Sequence, residues 1–205
     1  MNERITINGY TSKTQKIIRL GHGNREESCW NLMKKDAFSI YYSQEEKKWL
    51  KVPRNGKYEK RISNSLLPQR AALEVAGLVS EKNNTELVSV LPEGTISLLL
   101  PHLGITIEAE LKNMNKSSDR DRVVDKASEL YYIAWLQAKA LLLDYGWWFD
   151  DPNPGNIIRN KSGTPVLIDF SNSRFRSKPN ELTQNELEGK FIKQIGKNRL
   201  RGWWD

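Results

Sequence analysis

Apolar and polar positions follow one period in the first half of the chain and another in the second. Early on, apolar residues come in short runs. Residues 16–20 (KIIRL), 28–33 (SCWNLM), 37–43 (AFSIYYS) and 48–52 (KWLKV) are rich in β-branched and aromatic side chains and predict strands. A polar turn at 44–47 makes the last two a hairpin. Residues 87–91 and 95–100 predict a second hairpin about Pro92, Glu93 and Gly94. Between the hairpins, residues 54–61 read as a basic loop and residues 65–80 as a helix. In that helix Ala72, Val75, Ala76 and Val79 recur at three- and four-residue steps, and Pro68 suits a first turn.

The second half reads mainly as helix. Residues 105–113 predict a short one. Residues 122–145 give the longest helical signal, with Val123, Ala127, Leu130, Ile133, Ala134, Leu136, Ala138, Leu141 and Leu142 on its apolar side and Gly146 ending it. Residues 181–197 predict another, with Leu182, Leu187, Phe191, Ile192 and Ile195 apolar. The expected class is α+β in one domain, residues 1–205. A small antiparallel sheet with one helix comes first (about 11–100) and a reduced helical lobe follows (about 101–205).

One stretch, residues 146–174 (GWWFDDPNPGNIIRNKSGTPVLIDFSNSR), interrupts the helices with a loop, a strand, a turn and a strand. Ile157 and Ile158 start the first strand, residues 160–163 turn, and Val166, Leu167 and Ile168 form the second. Asn156 and Asp169 lie about equally far from the turn, so a hairpin brings them to the same end. Asp151 precedes them in a loop stiffened by Pro152 and Pro154. Two carboxylates and an amide thus converge. Oxygen donors of this kind suit Mg²⁺, with Asp169 and Asn156 as ligands. Asp151 is left to orient or deprotonate a hydroxyl.

These residues resemble the catalytic elements of protein kinases. Asp151 and Asn156 keep the spacing of the catalytic loop, and Asp169-Phe170 keeps the start of the metal-binding motif that follows it. Phe149, Asp150 and Ser171 stand where that family has His, Arg and Gly. The resemblance implies ATP and Mg²⁺ as cofactors. It implies Gly21 and Gly23 in a phosphate-covering loop and Lys51 on the α- and β-phosphates, with Lys34 or Lys35 as alternatives. It implies Glu74, or else Glu81, as partner of that lysine, and backbone groups of Leu100, His102 and Leu103 as the adenine-binding hinge. No Ala-Pro-Glu motif follows Asp169, so a truncated kinase is expected, active without a phosphorylated activation segment.

A kinase this small resembles the bacterial type III secreted effectors of the HopBF family. That implies a serine/threonine protein kinase acting in a host cell, on a serine of the cytosolic heat-shock ATPase chaperone. A small-molecule or sugar kinase, or a kinase-shaped docking module, are the alternative readings. The terminal pair Trp203-Trp204 is expected to pack across the second lobe.

Composition narrows the field further. The net charge of +7 fits attraction to ATP or an acidic partner, but no nucleic-acid motif accompanies it. Cys29 is the only cysteine, which excludes an internal disulfide, and with only His22 and His102 a Ser-His-Asp hydrolase or a His-rich metal site is poorly supplied. Mean hydropathy is −0.64, no apolar run suits a membrane span, and the start lacks the apolar core of a cleavable signal peptide. A monomer exported by the type III route is expected.

Overall fold

The computed structural model describes residues 6–7, 10–11, 16–20, 30–80, 82–91, 94–114, 120–176 and 179–200. Its elements are β1 (Thr6–Ile7), β2 (Tyr10–Thr11), β3 (Lys16–Arg19), β4 (Trp30–Lys35), β5 (Phe38–Ser43), β6 (Lys48–Pro53), α1 (Gly56–Val75), β7 (Glu86–Leu91), β8 (Thr95–Pro101), β9 (Gly104–Thr106), α2 (Ile107–Met114), α3 (Arg120–Tyr145), β10 (Trp147–Trp148), β11 (Ile157–Asn160), β12 (Pro165–Leu167), β13 (Arg174–Phe175) and α4 (Glu181–Leu200). A 3-10 turn at Pro154–Asn156 precedes β11. The fold is α+β, as expected. Contacts group residues 1–66 with 80–102, and residues 67–79 with 103–205.

The first unit is built on a six-stranded sheet in the order β3-β7-β8-β6-β5-β4. Both expected hairpins form: Tyr41 faces Leu50 across β5 and β6, and Val88 faces Ser97 across β7 and β8. The sheet is not wholly antiparallel, because β3 runs parallel to β7. No short turn links those two strands, so nothing local sets their relative direction. On one face Ile18, Trp30, Leu50, Val88, Val90 and Leu99 form a buried core. Edge strand β4 buries only Trp30, and a bulge interrupts its register between Leu32 and Lys34.

The helix before β7 starts earlier than its sequence suggests. Residues 56–64, expected as loop and lead-in, belong to α1, and Pro68 lies inside that helix rather than in its first turn. The Tyr58 N–H donates to Asn55 O at the start, the Tyr58 ring lies 5.3 Å from that of Phe38, and Ile62 is fully buried. The spacing of Tyr58, Ile62 and Leu66 carried this signal. Pro68 lacks only an N–H, and burial of the helix outweighs that loss.

In the second unit α3 supplies the core. Leu130, Tyr131, Ala134, Ala138, Leu141 and Leu142 line one face of it. They pack with Leu187 and Phe191 of α4, with Ile157 and Leu167 of the β11–β12 hairpin, and with Trp148, Phe149 and Phe170. Burying each large side chain contributes about 1.5–3 kcal/mol. Leu136, Leu182 and Ile192, expected on apolar faces, are exposed. Strand β9 adds to the hairpin on the side away from β12, and α1 reaches it through Gln69 Nε2, which donates to Leu167 O at 3.1 Å.

Candidate active site

Gly146 ends α3 with a φ of +71°, and β10 follows. A β-carbon at Gly146 would stand 2.8 Å from the Phe175 ring and 3.0 Å from Arg176 O, so only glycine fits. Strand β10 pairs with β13, Trp147 facing Phe175 and Trp148 facing Arg174. The segment after Asp169 is thereby fastened beside the segment before Asp151. The Arg176 N–H donates to Gly146 O, and the Ser173 N–H and hydroxyl both donate to Phe170 O.

The loop from Asp151 to Asn156 is cross-braced. Asp151 Oδ1 accepts from the Asn153 N–H at 3.3 Å, and Asn153 Oδ1 accepts from the Gly155 N–H at 2.9 Å. Asn156 Nδ2 donates to Asp151 Oδ2 at 3.0 Å and to Asp151 O at 3.2 Å. The Asn156 amide nitrogen is thus engaged twice with Asp151, and Asn156 Oδ1 is an acceptor of the kind a hard cation requires. Across the hairpin the Ile168 N–H donates to Asn156 O at 2.8 Å, one step beyond the pairing of Ile157 with Leu167. This places Asn156 and Asp169 at the same end, as their distance from the turn predicts. Asp150, Asp151, Asn156 and Asp169 line one open polar pocket with residues 170–173. Among the described residues no three His, Cys, Asp or Glu side chains gather as metal ligands. The oxygen donors that fit Mg²⁺ here are the Asp169 carboxylate and the Asn156 amide oxygen, in a pocket open to water or phosphate.

Asp169 has a φ of +61°. Ser171 holds it there: its N–H and hydroxyl both donate to Asp169 Oδ1, at 3.3 and 2.7 Å. Replacing glycine by serine at position 171 thus adds a side-chain bond to the carboxylate. Phe149 is buried and packs against Phe170 with ring centroids 5.3 Å apart, so the loop and the Asp169 segment share an apolar contact.

Asp150 is held by Lys190 of α4, whose Nζ donates to Oδ1 at 2.6 Å and to the backbone O at 3.2 Å. Trp148 Nε1 donates to the same Oδ1 at 3.0 Å. The Lys190 bond, helped by the Trp148 indole and the charges of Lys190 and Arg174, keeps this carboxyl below its usual range against the opposing effect of burial. Neither Lys190 nor Ser171 stood out in the sequence. Ser171 was visible only as a departure, and Lys190 is a lysine among many.

Lys51 lies buried on β6 with its ammonium 4.3 Å from the centre of the Phe38 ring. Lys34 and Lys35 are exposed, Lys34 pairing with Asp36 at 2.8 Å. Glu74, in the other unit, is exposed and accepts a hydrogen bond from Tyr145 at the end of α3. Burial, then the charge and bond of Glu74, raise the Tyr145 hydroxyl pKa. His102 departs from its expected part in the hinge. Its N–H donates to Lys47 O at 2.9 Å and so is spent on the chain, while its Nδ1 accepts from Trp49 Nε1 at 3.1 Å. Leu100 pairs with Trp49 in the sheet, and Leu103 is buried with Leu73, Ile158 and Val166. Gly21, Gly23, Glu81, Trp203 and Trp204 lie outside the described residues. The strands that flank the two glycines, β3 and β4, form opposite edges of the sheet and do not pair.

No family model matches the chain, and no curated protein matches its sequence. Among solved structures the chain is similar to a co-crystal structure of WbdD with a kinase inhibitor, at a TM-score of 0.45 and 15% identity. The similarity covers 94% of this chain and 39% of that one.

Proposed function

We propose that the chain is a phosphotransferase that moves the γ-phosphoryl group of ATP to a hydroxyl, and that its acceptor is a serine or threonine of a protein. The observation that supports this most is the bond from Asn156 Nδ2 to Asp151. It fixes the Asn156 amide against Asp151 in the pocket that Asp169 also lines. Asn156 and Asp169 would hold Mg²⁺ in this reading, which would supply positive charge to offset that of the phosphates. Asp151 aligns the acceptor hydroxyl and takes its proton as the oxygen–phosphorus bond forms and ADP departs. Lys51 steadies the α- and β-phosphates. The resemblance to secreted effector kinases supports a host protein, the cytosolic heat-shock ATPase chaperone, as acceptor, reached by type III export.

Asp151→Ala and Asp169→Ala should each lower phosphoryl transfer by about 10²-fold or more, since general-base catalysis alone contributes about 10²–10⁴. Radiolabel transfer from ATP, offered to proteins and to sugars in parallel, measures this. Near-wild-type transfer by either variant refutes the assignment. Label appearing only on sugars overturns the protein acceptor.

A further inference from the structure

We infer that Lys190 is a positioning residue for the loop that carries Asp151, acting through Asp150; this rests on the phosphotransferase reading. Helix α4 meets the loop with three residues of one face. Leu187 and Phe191 enter the core, and the Phe191 ring lies 6.3 Å from that of Phe149. Lys190 emerges between them, half-buried. Its ammonium bonds the Asp150 carboxylate and, at 3.2 Å, the Asp150 backbone oxygen.

The second of these bonds matters most. The Asp150 carbonyl belongs to the peptide plane that ends at the Asp151 Cα, so holding that oxygen fixes the N–Cα bond from which the Asp151 side chain is set. An ordinary surface ion pair touches only a carboxylate, and its loss costs little. This ammonium also lies 5.3 Å from the centre of the Trp148 ring, and the Trp148 indole shares Asp150 Oδ1 with it. Trp148 is itself buried. The ammonium is therefore confined by the core, the main chain and the carboxylate together. Catalytic groups displaced by about 1 Å lose rate steeply, while substrate binding made elsewhere persists.

The test compares the full chain with Lys190→Met and Lys190→Arg. Lys190→Met should lower kcat about tenfold or more while KM for ATP stays within about twofold. Lys190→Arg keeps the charge and the donors and should recover most of kcat. A purely structural role would lower the melting temperature and leave kcat of the folded protein unchanged. A second readout does not need activity. Hydrogen exchange at the Asn156 backbone amide, which donates to Asn153 O at 2.8 Å, should quicken about tenfold in Lys190→Met. Wild-type kcat with unaltered exchange in Lys190→Met overturns the inference. If the wild type itself transfers no phosphate, the phosphotransferase reading falls and the exchange measurement still decides whether Lys190 holds the loop. Should Lys190→Met fail to fold, Lys190→Gln, which removes the charge and keeps a donor, should lower kcat and quicken exchange in the same direction, and wild-type values of both overturn the inference.

Discussion

Asp169 has the most strained backbone in the site. Its left-handed φ costs about 1–2 kcal/mol for a residue with a β-carbon, and the two bonds from Ser171 offset part of that. Asp150 shows the opposite economy, a charge made comfortable by its neighbours. Its carboxyl titrates below the ordinary range in the folded chain, so its contribution to stability is present above the ordinary carboxylate pKa. That contribution is lost as pH falls through the depressed value. Wild type should exceed Asp150→Asn in stability by about 1 kcal/mol or less near neutral pH, given partial exposure of the pair. Urea unfolding at about pH 7 and about pH 3 should show this difference shrinking at the lower pH. An equal gap at both would assign the effect to something other than the charge of Asp150.

At the scale of elements, the β10–β13 pairing holds the segment after Asp169 beside the segment before Asp151. It depends on Gly146. An alanine there would meet the Phe175 ring and Arg176 O in a left-handed backbone and should cost about 2 kcal/mol. Gly189 offers the contrast. It sits in the exposed interior of α4 with open space where a β-carbon would go, so Gly189→Ala should stabilise by about 0.5–1 kcal/mol. Paired urea melts of the two variants decide the point; if both shift the same way, the steric account of Gly146 is wrong. The strands and the long helix were legible because their periods are local. The start of α1 was not, since Gly56 and Pro68 are breakers by composition and only tertiary burial of Tyr58 and Ile62 overrides them.

For the molecule as a whole, the residues that flank the polar site groups in the chain are part of its core. Trp148, Phe149 and Phe170 pack in the cluster that contains α3 and α4. Phe191→Ala should therefore cost about 3–5 kcal/mol and remove phosphoryl transfer with it. Thermal unfolding and a transfer assay on one preparation test this coupling; full activity in a strongly destabilised variant would separate core from site. This arrangement also explains what the sequence could and could not reveal. Asp151, Asn156 and Asp169 are joined by a short loop and a hairpin, so counting residues was enough to bring them together. Lys190 reaches Asp150 only after α4 has docked on α3, and no local spacing encodes that. The bond from the His102 N–H to Lys47 O is of the same kind, since no local spacing encodes it.

Strand β4 has one more consequence. A sheet edge exposes unpaired N–H and C=O groups to any passing strand, and Leu32 and Met33 make this one apolar as well, at 50% and 59% exposed. The bulge after Leu32 breaks the row of groups, and Lys34 and Lys35 put positive charge where a second copy would bring the same charge. The irregularity in the ladder and the two lysines, whatever their bearing on nucleotide, are what disfavour growth of this sheet from one molecule into the next.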